Sequence, residues 1–276
     1  MASQPPGGLT GLHGTAFSAA ALRAWHTIAG EEPKIFRDGL ALALTGMSEA
    51  EAIALGERVP AASASTCVLR SRFTEDRLAE ARSRLGQYVV LGAGLDSYAL
   101  RMGEALGGLT VFEVDDPPFQ EWKREKIAEL GLTVPPQLRF VPCEFETTSI
   151  AGALAPCGFD ADAPCFISWL GVTQYLTREA IDETVRWAGS RPAGSEIVLT
   201  FLESNPQAKQ LRSNMAQTGV AVLSDFATDE MTDMLEKAGF SRIEHLRQEA
   251  AEARYFAGRT DGLKAPEMQR LVSAVV

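Results

Sequence analysis

Two glycines, Gly92 and Gly94, and four acids, Asp96, Glu113, Asp115 and Glu144, are the residues whose types and spacing could do chemistry. They stand in QYVVLGAGLDSYALRMGEA (87–105), LTVFEVD (109–115) and LRFVPCEF (138–145), where apolar runs end in small or acidic residues. Without a Cβ at Gly92 and Gly94, and with only a methyl at Ala93 between them, the backbone can approach a ligand closely. Glu113 and Asp115, at the end of a second apolar run, are placed to accept hydrogen bonds from ribose hydroxyls. Glu144 and Phe145, after a third, offer an acid to the adenine amino group and a ring to its face. Any one of these residues alone could be a cap or a core residue. Their occurrence after three consecutive strands points to an adenine nucleoside.

Two cofactors carry that nucleoside. A dinucleotide fingerprint places a third glycine three residues beyond the second, but Ser97 stands there, preceded by Asp96. A carboxylate repels a pyrophosphate and suits the ammonium of S-adenosylmethionine, so the sequence favours S-adenosylmethionine over NAD.

The elements that must position these residues alternate. Strands over YVVLGAG, LTVFEVD, LRFVP, CFISWLGV and EIVLTFLE are separated by helices, among them PPFQEWKREKIAELG with proline at its start and glycine at its end. Such alternation predicts a doubly wound, mostly parallel sheet with helices on both faces, whose ligand lies beyond the carboxyl ends of its strands. SRIEHLR and ARYFAGR are read as an antiparallel C-terminal hairpin, which makes seven strands. Residues 1–85 are expected to form a helical N-terminal cap, with Ser48 and Glu51 as a capping box and residues 1–14 loose. Residues 86–276 are expected to form the catalytic domain, with a cap insertion near 205–224.

VVLGAGLDSYALR, VFEVDDPPFQEWKR and FISWLGVTQYLT together resemble the leucine carboxyl methyltransferase type of class I methyltransferase, a family that includes bacterial polyketide O-methyltransferases. The likeness runs from about Ala19 to the C-terminus. It implies that Gly92 lies against the methionine half of S-adenosylmethionine, Asp115 on the ribose, and Glu144 with Phe145 at the adenine. It also implies that an arginine of RSRF, Arg70 or Arg72, grips the cofactor carboxylate. Two departures stand out: Glu144 replaces the family's usual Asp, and Leu170 stands where many members have Glu.

Composition narrows the partners. A net charge of −10 over 276 residues argues against nucleic acid and anionic membranes. Cys67, Cys143, Cys157 and Cys165 show no CxxC spacing and only three histidines are present, so no metal site is expected. With no signal-peptide pattern and no apolar run near ~20 residues, the expectation is a cytoplasmic protein, monomer or homodimer.

Methyl transfer is an in-line displacement, so alignment and exclusion of water dominate. A carboxylate acceptor is already ionised at neutral pH and needs no base, and a small-molecule or peptide acid is the expected substrate. Trp169, Gln174 and Tyr175 follow the fourth strand, which faces the transferred methyl. Trp169 is assigned to the cofactor, and Gln174 and Tyr175 to orienting the acceptor. A phenol would want a base, for which His13 is the candidate, in a start segment that could close over the site. His26 reads as structural and His245 as remote. The rivals are a phenolic O-methyltransferase, an NAD-dependent oxidoreductase, and a cofactor-binding protein without catalysis.

Overall fold

The computed structural model describes residues 11–145, 147–217 and 219–276, the side chains of Gly11 and Leu12 excepted. Four helices come first: α1 (Gly11–Ala29), α2 (Ala41–Thr45), α3 (Glu49–Arg58) and α4 (Ala61–Ala81). Of the segment expected to be loose, residues 1–10 lie outside the described residues, while 11–14 open α1. The Ser48–Glu51 capping box is present at the start of α3. Gly56 sits mid-helix for a reason of packing: a Cβ there would stand 2.2 Å from Cγ of Trp25 on α1.

The alternating part follows as β1 (Gln87–Leu91), α5 (Tyr98–Met102), β2 (Thr110–Asp115), α6 (Pro117–Glu129), β3 (Leu138–Pro142), α7 (Ile150–Leu154), β4 (Cys165–Trp169), α8 (Arg178–Gly189) and β5 (Glu196–Leu202). Then come α9 (Pro206–Ala216), α10 (Thr228–Ala238), β6 (Arg242–His245), α11 (Gln248–Ala251) and β7 (Gln269–Val275). The sheet order is β3-β2-β1-β4-β5-β7-β6, parallel except at β7, which runs antiparallel to both β5 and β6. Leu91 is in register with Val114 on one side and Trp169 on the other, so β1, β2 and β4 end level and their following loops share one mouth.

The C-terminal hairpin is corrected in one respect. The antiparallel partner of β6 is QRLVSAV, whereas ARYFAGR coils into a helical turn whose Phe256 is 1% exposed. β7 lies between two strands, and Leu271 to Ala274 form an uninterrupted buried run that lacks the alternation of a one-sided strand.

The N-terminal helices share the sheet's core: Leu22 of α1 and Val68 and Leu78 of α4 belong to the same buried cluster as Tyr88, Val90 and Phe166. α4 is also anchored by charge. Arg77, and Arg84 just past the helix end, both engage Glu196 of β5, at 2.7 Å each, and Glu196 is 1% exposed. The segment expected as a cap insertion contains α9. The extended segment after it seats Val222 against Leu202 and Ala208, with Tyr175, Leu211 and Met215 around them, on the β5 side of the mouth.

Candidate cofactor site at the carboxyl ends of the strands

The loop after β1 is shaped by its glycines. Gly92 and Gly94 have φ of 65° and 50°, the left-handed region that side chains resist. A Cβ on Gly92 would lie 2.4 Å from Val172 Cγ2, and one on Gly94 3.1 Å from Ala16 Cβ of α1. Gly92 and Ala93 donate their N–H groups to Val114 O at 2.9 and 3.1 Å, which folds the loop toward β2. There Gly94 N–H donates to Asp115 Oδ2 and Asp116 N–H to Asp115 Oδ1, the latter at 2.7 Å. Asp115 is thereby fixed in orientation. Burial raises its pKa, and the two backbone donors oppose the rise. The helix-cap alternative for Asp115 does not hold, since the N-cap of α6 is Asp116.

Glu113 is corrected. It lies one pleat back from the mouth, 1% exposed, with Oε2 2.6 Å from Lys123 Nζ of α6 and Oε1 without a partner among the described residues. Burial pushes its carboxyl up to about 7 even with Lys123 pulling it down. Lys123 also donates to Asp96 O at 2.8 Å, so the pair holds the glycine loop from beneath instead of meeting a ribose. Lys123 escaped the sequence reading, although its place four residues after the buried Phe119 on the apolar side of α6 was a legible signal of a buried partner. Asp96 is half-buried above, its Oδ1 accepting from Tyr98 N–H at 2.8 Å.

After β3, Glu144 is exposed and accepts from Thr147 Oγ1 at 3.0 Å, while Phe145 is half-buried against the core. His13 of α1 is on this same flank. Its Nε2 lies 3.4 Å from Asp116 Oδ2 and its ring stacks on Phe119 at 4.8 Å. His13 therefore stands at the β2 end, away from the β4 end where the methyl would be passed, and the general-base role is withdrawn.

Beyond β4 the two arginines point in different directions. Arg70 lies so close over Gly171 that a Cβ there would stand 2.2 Å from Arg70 Nη1, which puts the guanidinium at the mouth. Arg72 faces outward to Asp76 at 2.8 Å and Ile35 O at 3.2 Å. Trp169 is a core residue, 0% exposed among Ile167, Leu199 and Phe201, and its assignment to the cofactor is also withdrawn. Gln174 is 8% exposed, donates to Gly171 O at 3.2 Å, and turns a buried Oε1 that has no partner among the described residues. Tyr175 packs on the cluster beside α9.

The other histidines are structural. His26 accepts Ile35 N–H on Nε2 at 3.0 Å. Burial first, then Arg259 and Lys34 against Asp261 and Glu32, pushes its pKa from 6.5 down to about 4. The unfolded chain binds this proton below 6.5 and the native fold only near 4. Stability is therefore present above 6.5 and lost as pH falls toward 4, by about 3 kcal/mol at about 1.4 kcal/mol per pH unit. Denaturant melts at pH 7 and pH 4.5 should show this loss, and His26→Gln should reduce the pH-dependent part. His245 bonds Thr232 at 2.8 Å, and burial lowers its pKa.

The strand order and the glycine loop define the fold of class I methyltransferases. The family model for leucine carboxyl methyltransferase matches residues 16–189, and the chain belongs to that family. The Bacillus subtilis (strain 168) protein named "Putative S-adenosyl-L-methionine-dependent methyltransferase YktD" is 35% identical over 198 residues, 68% of this chain and 65% of that one. A like-named Mycolicibacterium paratuberculosis protein is 31% identical over 231 residues, covering 76% and 72%. The alignment thus spans just under two thirds of the Bacillus relative. A solved "putative methyltransferase" of Thermobifida fusca superposes with a TM-score of 0.59 over 93% of each chain at 15% identity, a likeness of fold.

S-adenosylmethionine is the family's cofactor, and the mouth fits it. The loop at Gly92 has no room for a side chain, Asp115 is aligned by two backbone donors, and Arg70 lies at the β4 end. Gly92 and Arg70 would hold the methionine half, Asp115 the ribose, and Glu144 with Phe145 the adenine. Among the described residues no cluster could hold a metal ion and no helix is long and apolar enough to cross a membrane.

Proposed function

We propose that the chain transfers the methyl of S-adenosylmethionine to a carboxylate oxygen of a small-molecule or peptide acid, forming a methyl ester. The observation that carries this is the position of the histidines: His13 is held at the β2 end by Asp116 and Phe119, and His26 and His245 serve packing and internal hydrogen bonds. None stands at the β4 end to take a proton, which supports an acceptor that arrives already ionised. An open cavity of about 440 Å³ between residues 34–37 and α4 supports the reading, being bordered by Lys34, Arg37 and Arg72 against Glu75 and Asp76 in a chain of net charge −10.

The cofactor supplies an electrophilic methyl. The chain's part is to orient it through Arg70 and Asp115, to exclude water with the tightly packed loop at Gly92, and to align the acceptor through Gln174 and Tyr175. Positioning of this kind suffices when the nucleophile is already an anion.

The test is a screen with methyl-labelled S-adenosylmethionine against panels of organic acids and phenols. The expected product releases labelled methanol on mild alkaline hydrolysis. Its rate should stay flat from neutral to mildly alkaline pH, and no histidine variant that folds should lose more than about tenfold. Labelling of phenols alone, with one histidine variant down by on the order of a hundredfold, would replace the ester by a phenolic ether.

A further inference from the structure

Between α4, the glycine loop and the end of β4 lies a chamber of about 10 Å³, room for one water-sized group. Ser71, Thr74, Glu75, Tyr88, Asp96 and Leu170 border it. Thr74 is its most telling residue. Four other helical threonines, Thr27, Thr66, Thr184 and Thr232, donate to the carbonyl four residues back at 2.8 to 3.0 Å. Thr74 Oγ1 does not, although the residue is 2% exposed, and it has no partner among the described residues. A buried hydroxyl costs roughly 1–3 kcal/mol when unpaired, which marks the chamber as a place for a polar group.

The charges say which sign. Three acids, Asp38, Glu75 and Asp96, and two arginines, Arg23 and Arg101, line the chamber; Arg23 pairs with Asp38 at 2.9 Å and Arg101 engages Oε1 of Glu75, which leaves Asp96 in excess and Glu75 Oε2 without an arginine. Tyr88 is committed to Ser168 at 2.9 Å, and Leu170 closes the wall with an apolar side chain. Asp96 and Ser97 follow β1 and Leu170 follows β4, so the chamber adjoins the mouth, and Glu75 and Phe36 border the open cavity as well.

We propose that Thr74, Glu75 and Asp96 form the receptor for the ammonium of the cofactor's amino-acid half, a group of water size with three donors. The proposal rests on the cofactor assignment above. Burial pushes Glu75 up to about 7, with Arg101 opposing and Asp96 and Asp38 adding to the rise; Lys34, Arg37 and Arg72 line the cavity outside. An entering cation lowers that value, so binding near pH 7 expels a fraction of a proton.

Calorimetry of the full chain tests this with S-adenosylhomocysteine and its desamino analogue, which keeps the carboxylate and lacks the amine. The native chain should prefer the amine, and Glu75→Gln should cut that preference tenfold or more, the scale of a charged hydrogen bond. Thr74→Val, nearly isosteric and independent of the Arg101 pair, should cut it several-fold. Heats in buffers of different ionisation enthalpy should show proton release in the native chain and none in Glu75→Gln. A preference unchanged in both variants overturns the proposal, as does the same loss for both ligands, which would make Glu75 a support for Arg101. Failure of the native chain to bind either ligand would instead sink the cofactor assignment.

Discussion

Above pH 7, Lys123→Met should destabilise the fold by about 3–5 kcal/mol, the cost of leaving a buried carboxylate without its partner. Both members are nearly inaccessible, with Lys123 Nζ 2.6 Å from Glu113 Oε2, and no water can replace the missing ammonium. The sign with pH is distinctive. Glu113 already holds its proton up to about 7 in the fold against 4.5 for an ordinary glutamate, so the native state binds more protons in that window and loses stability as pH rises through it. Removing Lys123 raises the folded value further and extends the loss above pH 7. Denaturant titrations of the variant from pH 5 to 8.5 should therefore show a stability that keeps falling. Adding Glu113→Gln should flatten the slope and recover part of the stability, leaving the cost of Asp96 O, which Lys123 also bonds. A single variant with native stability at pH 8 would mean that the pair breaks even with its own desolvation.

The same pair shows where the sequence stopped being legible. FEVD announces a strand ending in acids, and both acids alternate onto one side, but only burial separates their roles. Asp115 sits at the strand end with two backbone donors, and Glu113 sits a pleat lower against a helix. Lengths of apolar run, capping residues and the LGAG turn were readable because they depend on neighbours in sequence. The six strands that precede β7 fell where they were expected for that reason. What depends on distant contacts was not readable. Trp169 follows a strand like a ligand residue, yet is sealed beneath the mouth. His13 falls in a Gly- and Pro-rich start expected to be loose, whereas α1 brings it onto Phe119. ARYFAGR has strand-like composition, but β7 takes the position between β5 and β6. Arg70 and Arg72 were indistinguishable in RSRF, and their different directions around α4 decide which reaches Gly171.

Asp115→Ala should weaken S-adenosylhomocysteine by on the order of a hundredfold to ten-thousandfold, since two bonds to a charged acceptor are each worth about 1.5–3 kcal/mol. The structure adds a complication that the sequence did not show. Asp115 also accepts the N–H groups of Gly94 and Asp116, so its removal loosens the loop at the very place where Gly94 meets Ala16 of α1. Lost affinity in the alanine variant would thus combine lost ribose contacts with a loop no longer held. Asp115→Asn separates the two. It retains one carbonyl oxygen for one of the two backbone donors and loses the charge, so the melting temperature should fall less than in the alanine variant while affinity still drops at least tenfold. Affinity of the native chain should in turn be held above the carboxyl's raised pKa and fall as pH descends through it, because the ionised form is the better acceptor for ribose hydroxyls. Calorimetry across that range with the native chain and the asparagine variant reads both effects. Native affinity in Asp115→Asn, with a lowered melting temperature, would leave Asp115 as a clamp for the glycine loop and move ribose recognition to another residue.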